Sequence, residues 1–228
     1  MTAPSLILLP GLLCDEALWA PQIAALADLA QISVGDLTMA DSIAEMARQI
    51  LSGAPPRFAL AGLSMGGYVS FEIMRQAPER VTRLALLDTS ARRDTPERAQ
   101  HRRDLLRLAA VGEFKGVTPK LLPQWVHCAR MGEPDFVAAV TSMTQRVGRD
   151  AFIRQQTAIL GRPDSRPGLT QVRVPTLVLC GRQDMATPVE VAREIAADIP
   201  DARLVIVEEC GHLATLERPD DVNRAMRS

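Results

Sequence analysis

Short, nearly continuous apolar runs alternate along this chain with stretches in which apolar residues recur at helical spacing. Ser5–Leu9 (SLILL), Arg57–Ala61, Arg83–Leu87 and Thr176–Cys180 (TLVLC) read as strands, with Gln31–Val34 as a weaker one and Arg203–Val207 as the last. Between them, Ile23–Leu29, Ile43–Leu51, Met65–Gln76 and Val189–Ala197 read as helices, and 213–227 as a last one. Thr187, Pro188 and Glu190 resemble a capped helix start, with Thr187 as the N-cap and Glu190 closing a capping box. Strands apolar on both faces and separated by helices predict a mostly parallel, doubly wound sheet covered on both sides.

The rhythm stops at Ala91. From there to about Gly168 no strand is expected, and helices are predicted near 96–110, 118–130, 134–146 and 149–160. A structureless loop of that length would be unusual. The expectation is therefore an α/β core formed by 1–90 and 169–228, with 91–168 as a helical cap inserted after the strand that ends near Asp88.

Composition narrows the function classes. The chain has 228 residues, 47% hydrophobic and 23% charged, enough for a full core without disulfides or metals. A net charge of −1 suggests neither nucleic acid nor an anionic membrane as partner. No basic residue precedes the apolar run at the N-terminus and no run approaches a membrane span, so a cytoplasmic location is expected. The four cysteines form no C-x-x-C pair and are expected to be reduced; the three histidines are far apart in sequence. No metal and no cofactor are expected.

The chemistry begins at Gly62-Leu63-Ser64-Met65-Gly66, a G-x-S-x-G sequence between a predicted strand and a predicted helix. A sharp strand-to-helix turn holds the serine hydroxyl in the open at a helix N-terminus, and side chains at the flanking glycines would collide with their neighbours. A serine needs a base and a group to orient that base. His212, in Glu209-Cys210-Gly211-His212 just after the last strand, is the candidate base; His101 and His127 fall within helices of the insert. Two carboxylates end strands where such sheets place their sites: Asp184, which is preferred, and Asp88, read as organising the start of the insert. Two backbone N–H groups should face the developing oxyanion. Met65 is one, and Leu12, in the loop after the first strand, is the choice for the other, with Leu13 as runner-up.

Together, LLPGLLCDEALW (8–19), GLSMGGYVSFEIMRQAPERVTRLALLDTS (62–90), VPTLVLCGRQDMATP (174–188) and GHLATLERPDDV (211–222) resemble the α/β-hydrolase superfamily over nearly the whole core. The resemblance implies Ser64 as nucleophile, Asp184 as acid, His212 as base, and Leu12 and Met65 as oxyanion donors. Within the superfamily the chain looks most like small bacterial carboxylesterases of the pimeloyl-carrier-protein methyl esterase type. Enol-lactonases and C–C bond hydrolases are similar. Pro10 stands where many members have His, so a side-chain brace of that loop is missing.

A carboxylesterase for small to medium acyl esters is the expected function. A C–C hydrolase, enol-lactonase or cofactor-free perhydrolase would use the same triad, and a non-catalytic ligand-binding protein could use the same fold. Leu13, Leu121, Leu122, Trp125, Val126 and Leu213 are candidates to line the acyl pocket. The chain has 24 Arg against two Lys, and six of the arginines crowd the start of the insert and its first helix: Arg92, Arg93, Arg98, Arg102, Arg103 and Arg107. They form either a solvated face balanced by Asp94, Glu97 and Asp104, or a patch that attracts an acidic substrate or carrier protein.

Overall fold

The computed structural model describes residues 3–118 and 120–228. Its centre is a six-stranded sheet in which every pairing is parallel. The strands are β1 (Ser5–Leu9), β2 (Gln31–Val34), β3 (Phe58–Leu63), β4 (Val81–Leu87), β5 (Thr176–Gly181) and β6 (Arg203–Val207), in the order β2-β1-β3-β4-β5-β6. Leucines and alanines make this layer: Leu8, Leu9, Ala61, Leu63, Leu86, Leu87 and Leu179 are wholly buried.

The helices of the core are α1 (Ala20–Leu26), α2 (Ile43–Gly53) and α3 (Met65–Gln76). Right-handed crossovers put α1 on one face and the helices that follow β2 and β3 on the other. The strand order reverses between β1 and β3. Open α/β sheets bind ligands beyond the carboxyl ends of their strands at such a reversal. Here it brings the loop after β1, which holds Leu12, beside the turn after β3, which holds Ser64: a Cβ added at Gly11 would lie 3.5 Å from Ser64 Cβ.

Between β4 and β5 the described residues contain helices and turns but no strand. α4 spans Pro96–Val111, capped by the Thr95 hydroxyl. α5 spans Pro134–Leu160 and is interrupted at Gly148, whose φ of 79° and ψ of 177° are not helical. A short turn of helix at Arg166–Gln171 leads back to the sheet. After β5 come α6 (Val189–Asp198), β6, α7 (Ala214–Glu217) and α8 (Pro219–Arg227), which packs on α1.

Four local expectations are corrected. The single helix expected over 213–227 forms as two, α7 and α8, because Arg218 between them has φ −135° and ψ 59°, outside the helical region, and Pro219 follows it. The expected helix over 118–130 does not form; the described part has single turns at Leu122–Gln124 and Cys128–Gly132, and Pro119 lies outside the described residues. Its backbone is drawn into tertiary hydrogen bonds instead: the Trp125 carbonyl accepts from His212 N–H, and His127 N–H donates to Glu217. Next, α1 begins at Ala20 rather than Ile23, because the Asp15 side chain caps a preceding turn at Glu16–Trp19 that runs straight into it. Finally, Thr187 does not cap α6. The helix starts after Pro188 with no side-chain cap, and the Thr187 hydroxyl donates to Asp184 at 2.7 Å.

Candidate active site

Ser64 sits between β3 and α3 with φ 53° and ψ −111°, a region that side-chain-bearing residues rarely occupy. The surroundings over-determine it. Ser64 N–H donates to the Leu87 carbonyl of β4 at 3.0 Å, and its own carbonyl accepts from Gly67 N–H and the Thr89 hydroxyl. The flanking glycines are needed for close approach. A Cβ at Gly62 would fall 2.4 Å from the Gly66 backbone, and one at Gly66 would fall 2.1 Å from the Leu9 carbonyl oxygen. The turn is thus pressed between its own helix and the end of β1.

His212 follows β6 in a loop held against the insert. A Cβ at Gly211 would meet the Val126–His127 backbone at 2.7–2.9 Å. The Trp125 ring stands edge-on to the imidazole, 5.5 Å between centroids. Nε2 of His212 lies 2.9 Å from Ser64 Oγ, and Nδ1 lies 2.8 Å from Asp184 Oδ2. A carboxylate only accepts, so the proton belongs on Nδ1, leaving Nε2 to accept from the hydroxyl. Asp184 is locked in turn: Oδ1 accepts from the N–H groups of Ala186 and Thr187 at 2.8 and 2.9 Å. Ser64, Asp184 and His212 are all buried.

Asp88 does not touch the imidazole. Wholly buried, it accepts from Gly181 N–H at 2.9 Å and Ala214 N–H at 3.1 Å, one on each oxygen. It therefore fastens the end of β5, which leads to Asp184, to the residues that follow His212. Glu217 plays a parallel part that the sequence did not signal, since nothing separates it from the other acidic residues of the last helices. Its carboxylate accepts from His127 N–H at 2.7 Å and from Gly211 and Leu213 N–H at 3.0 Å each.

Burial and charge act against each other here. Burial alone would push the His212 imidazole down, but the Asp184 carboxylate on Nδ1, with Asp88 and Glu217 beyond it, more than reverses that and its pKa lies above the ordinary value. Burial pushes Asp184 up; the His212 ring and the Thr187 donors outweigh it and hold the carboxyl below the usual range. Asp88 is pushed well above that range by burial and by the neighbouring Asp184. Burial likewise raises Glu217.

Near Ser64, the N–H groups of Leu12 and Met65 have no protein acceptor among the described residues. That of Leu13 does: it donates to the Gln155 side chain at 3.0 Å. Of the pocket candidates, Leu122, Val126 and Leu213 are buried, Trp125 is half-buried and Leu121 is exposed.

One group of potential metal ligands, Asp88, Cys180 and Asp184, has donor atoms within 4.8 Å of one another. It fits a metal poorly. Both carboxylates are occupied by N–H and hydroxyl donors, and burial pushes the Cys180 thiol up and keeps it protonated. A cavity of about 450 Å³ lined by Leu6, Ala59, Pro175, Arg203 and Met226 opens at the amino-terminal ends of the strands, the opposite end of the sheet from Ser64.

Residues 9–219 match the α/β hydrolase fold family, and the chain belongs to it. A pimeloyl-[acyl-carrier protein] methyl ester esterase of Nitrosomonas europaea is 27% identical over 95% of this chain and 92% of its own length. Among solved structures, a thermophilic esterase from Thermogutta terrifontis superposes with a TM-score of 0.89 at 27% identity, covering 99% of this chain and 89% of that one. The enol-lactonase from Burkholderia xenovorans superposes at 0.86 and 26%, covering 100% and 91%.

Proposed function

We propose that this chain is a serine hydrolase, a carboxylesterase that cleaves esters of small to medium acyl groups without a cofactor. The observation that carries this reading is the unbroken hydrogen-bonded line from Ser64 Oγ through His212 to Asp184. As Oγ attacks the ester carbonyl carbon, Nε2 of His212 takes its proton, and Asp184 holds the imidazolium that forms. The carbonyl oxygen becomes an oxyanion, with the unpaired N–H groups of Leu12 and Met65 as its donors. The proton on Nε2 passes to the leaving alkoxide and an acyl-enzyme remains. Water, deprotonated by His212, attacks the acyl carbon, and Ser64 leaves with its proton restored.

A free ester suits the surface better than one borne on an acidic carrier. Arg92 pairs with Glu194, Arg102 with Asp94 and Arg107 with Asp104, while Arg98 donates to the Ala186 carbonyl. Much of the arginine crowd thus has partners within the chain.

The test is hydrolysis of p-nitrophenyl acetate, butyrate and octanoate. Ser64→Ala is expected to lose at least about 10³-fold in kcat, Asp184→Asn about 10⁴-fold, and Asp88→Asn less than Asp184→Asn. No turnover by the native protein, or equal turnover by Ser64→Ala, would sink the reading. A larger loss in Asp88→Asn would move the acid to Asp88.

A further inference from the structure

Gln155 lies in the second half of α5, 142 residues from Leu13 in sequence, and is wholly buried. Its amide is used at both ends. Oε1 accepts from Leu13 N–H at 3.0 Å, and Nε2 donates to the Leu37 carbonyl at 3.1 Å. These two backbone partners fix which way the amide faces, since one can only donate and the other only accept.

The Leu13 bond matters because of the turn it enters. Cys14 N–H donates to the Gly11 carbonyl at 3.1 Å, so residues 11–14 form a β-turn with Leu12 and Leu13 at its centre. Leu13 has φ 59°, a conformation that suits glycine or asparagine in this position and strains a leucine. Relaxing Leu13 to negative φ would rotate the peptide between Leu12 and Leu13 and break the bond to Gln155. The same turn carries Leu12 N–H and lies against Ser64, through Gly11.

We propose that Gln155 is a positioning residue for the oxyanion hole: by holding Leu13 N–H, it keeps the strained turn in the form that presents Leu12 N–H beside Ser64. The inserted helix is then part of the reaction machinery as well as a cover over it. This rests on the serine-hydrolase reading above.

The experiment compares Gln155→Met, which keeps the length and loses both hydrogen bonds, with Gln155→Glu, which keeps an acceptor for Leu13. Arg154→Ala is the control. Arg154 donates to the Thr38 carbonyl from the same helix and does not touch the 11–14 turn. On p-nitrophenyl acetate, Gln155→Met should lose at least about tenfold in kcat with KM within about twofold, because the lost contact acts on the oxyanion. The inhibition constant of an alkyl trifluoromethyl ketone, whose serine adduct carries an oxyanion, should rise by a similar factor. The Leu13 amide should also exchange its hydrogen faster. Gln155→Glu should recover most of the kcat, and Arg154→Ala should keep all of it. Should the methionine variant not fold, Gln155→Asn, whose shorter amide no longer reaches Leu13, replaces it with the same expectation. Turnover by the native protein together with an unchanged kcat in the folded Gln155 variant overturns the proposal alone, as does an equal kcat loss in Arg154→Ala. No turnover by the native protein overturns the serine-hydrolase reading and this proposal with it.

Discussion

The sheet and the helices inserted into it are held by different forces. Within the sheet, Leu8, Leu9, Leu63, Leu86 and Leu179 are wholly buried in the apolar core, and the gain from that burial is non-directional. The insert shares that apolar core through residues such as Phe136, Phe152 and Ile159, and is fixed in addition at a few polar joints. Within the insert, Asp94 ties its start to its end by taking Arg162 and Arg102, and Arg102 continues to Gln156; the same Arg162 guanidinium reaches the core, 4.3 Å over the Tyr68 ring of α3. Gln155 holds the loop after β1, and Glu217 joins His127 to the histidine loop. The lesson is one of tolerance. An apolar core accepts many residues of similar size, whereas each of these joints depends on one donor and one acceptor in register.

That contrast can be broken by mutation. Leu86→Ala should cost about 2–5 kcal/mol, as an ordinary core truncation does. Arg162→Ala should approach it, at about 3 kcal/mol, because a buried Asp94 is left with Arg102 alone. A much smaller effect on the denaturation midpoint would put the closure of the insert's two ends in its apolar contacts instead. The same pair has a pH signature. Burial raises the Asp94 carboxyl, and Arg162 and Arg102 together bring it below its ordinary 3.8. A carboxyl with a depressed folded-state pKa adds stability above its unfolded pKa and gives it up as pH falls through the folded one. The native protein should therefore lose stability between pH 4 and more acid values by more than Arg162→Ala does. Glu217→Gln comes next, at about 1–3 kcal/mol, since its amide turns a donor toward one of three backbone N–H groups. For a chain of this length that is a fall in Tm of roughly 2–12 °C. At the small end, Arg107→Ala removes an exposed pair with Asp104 on α4 and should leave Tm unchanged within error. A clear drop there would mean that the α4 surface contributes more than a solvated face does.

The same difference explains what could be read from sequence. All six strands were legible, three of them with the limits found, because a run such as Ser5–Leu9 has one way to hide five apolar residues in a parallel sheet. The α/β hydrolase fold followed from that pattern and from the motifs that end its strands. Ser64, Asp184 and His212 could be picked out because each follows a strand end within a few residues, with a glycine close by. Thr187 was misread because local spacing matched a helix cap while its hydroxyl answered to Asp184. Gln155 and Glu217 left no trace at all. Each is a common residue on a helix, and its partner is a backbone N–H in a distant loop, such as that of Leu13 or His127. The turns at 122–132 were hidden for the same reason: the chain there follows the needs of His212 and Glu217 and not its own propensity.

The break in α5 is made by backbone angle alone, since a Cβ at Gly148 would meet nothing within 4 Å. One glycine therefore separates a stretch that packs around Phe136, Val140 and Met143 from one whose Arg154 and Gln155 grip the loops after β2 and β1. In evolutionary terms it is a seam. Ahead of it the polar contacts are an exposed pair from Arg146 to Asp15 and a bond from Val117 N–H to the Thr144 hydroxyl, whereas beyond it Gln155 holds two backbone groups of the core from a wholly buried position. Exchange of side chains or length is therefore expected to cost less ahead of Gly148 than after it, where Gln155 ties the helix to the loops after β1 and β2.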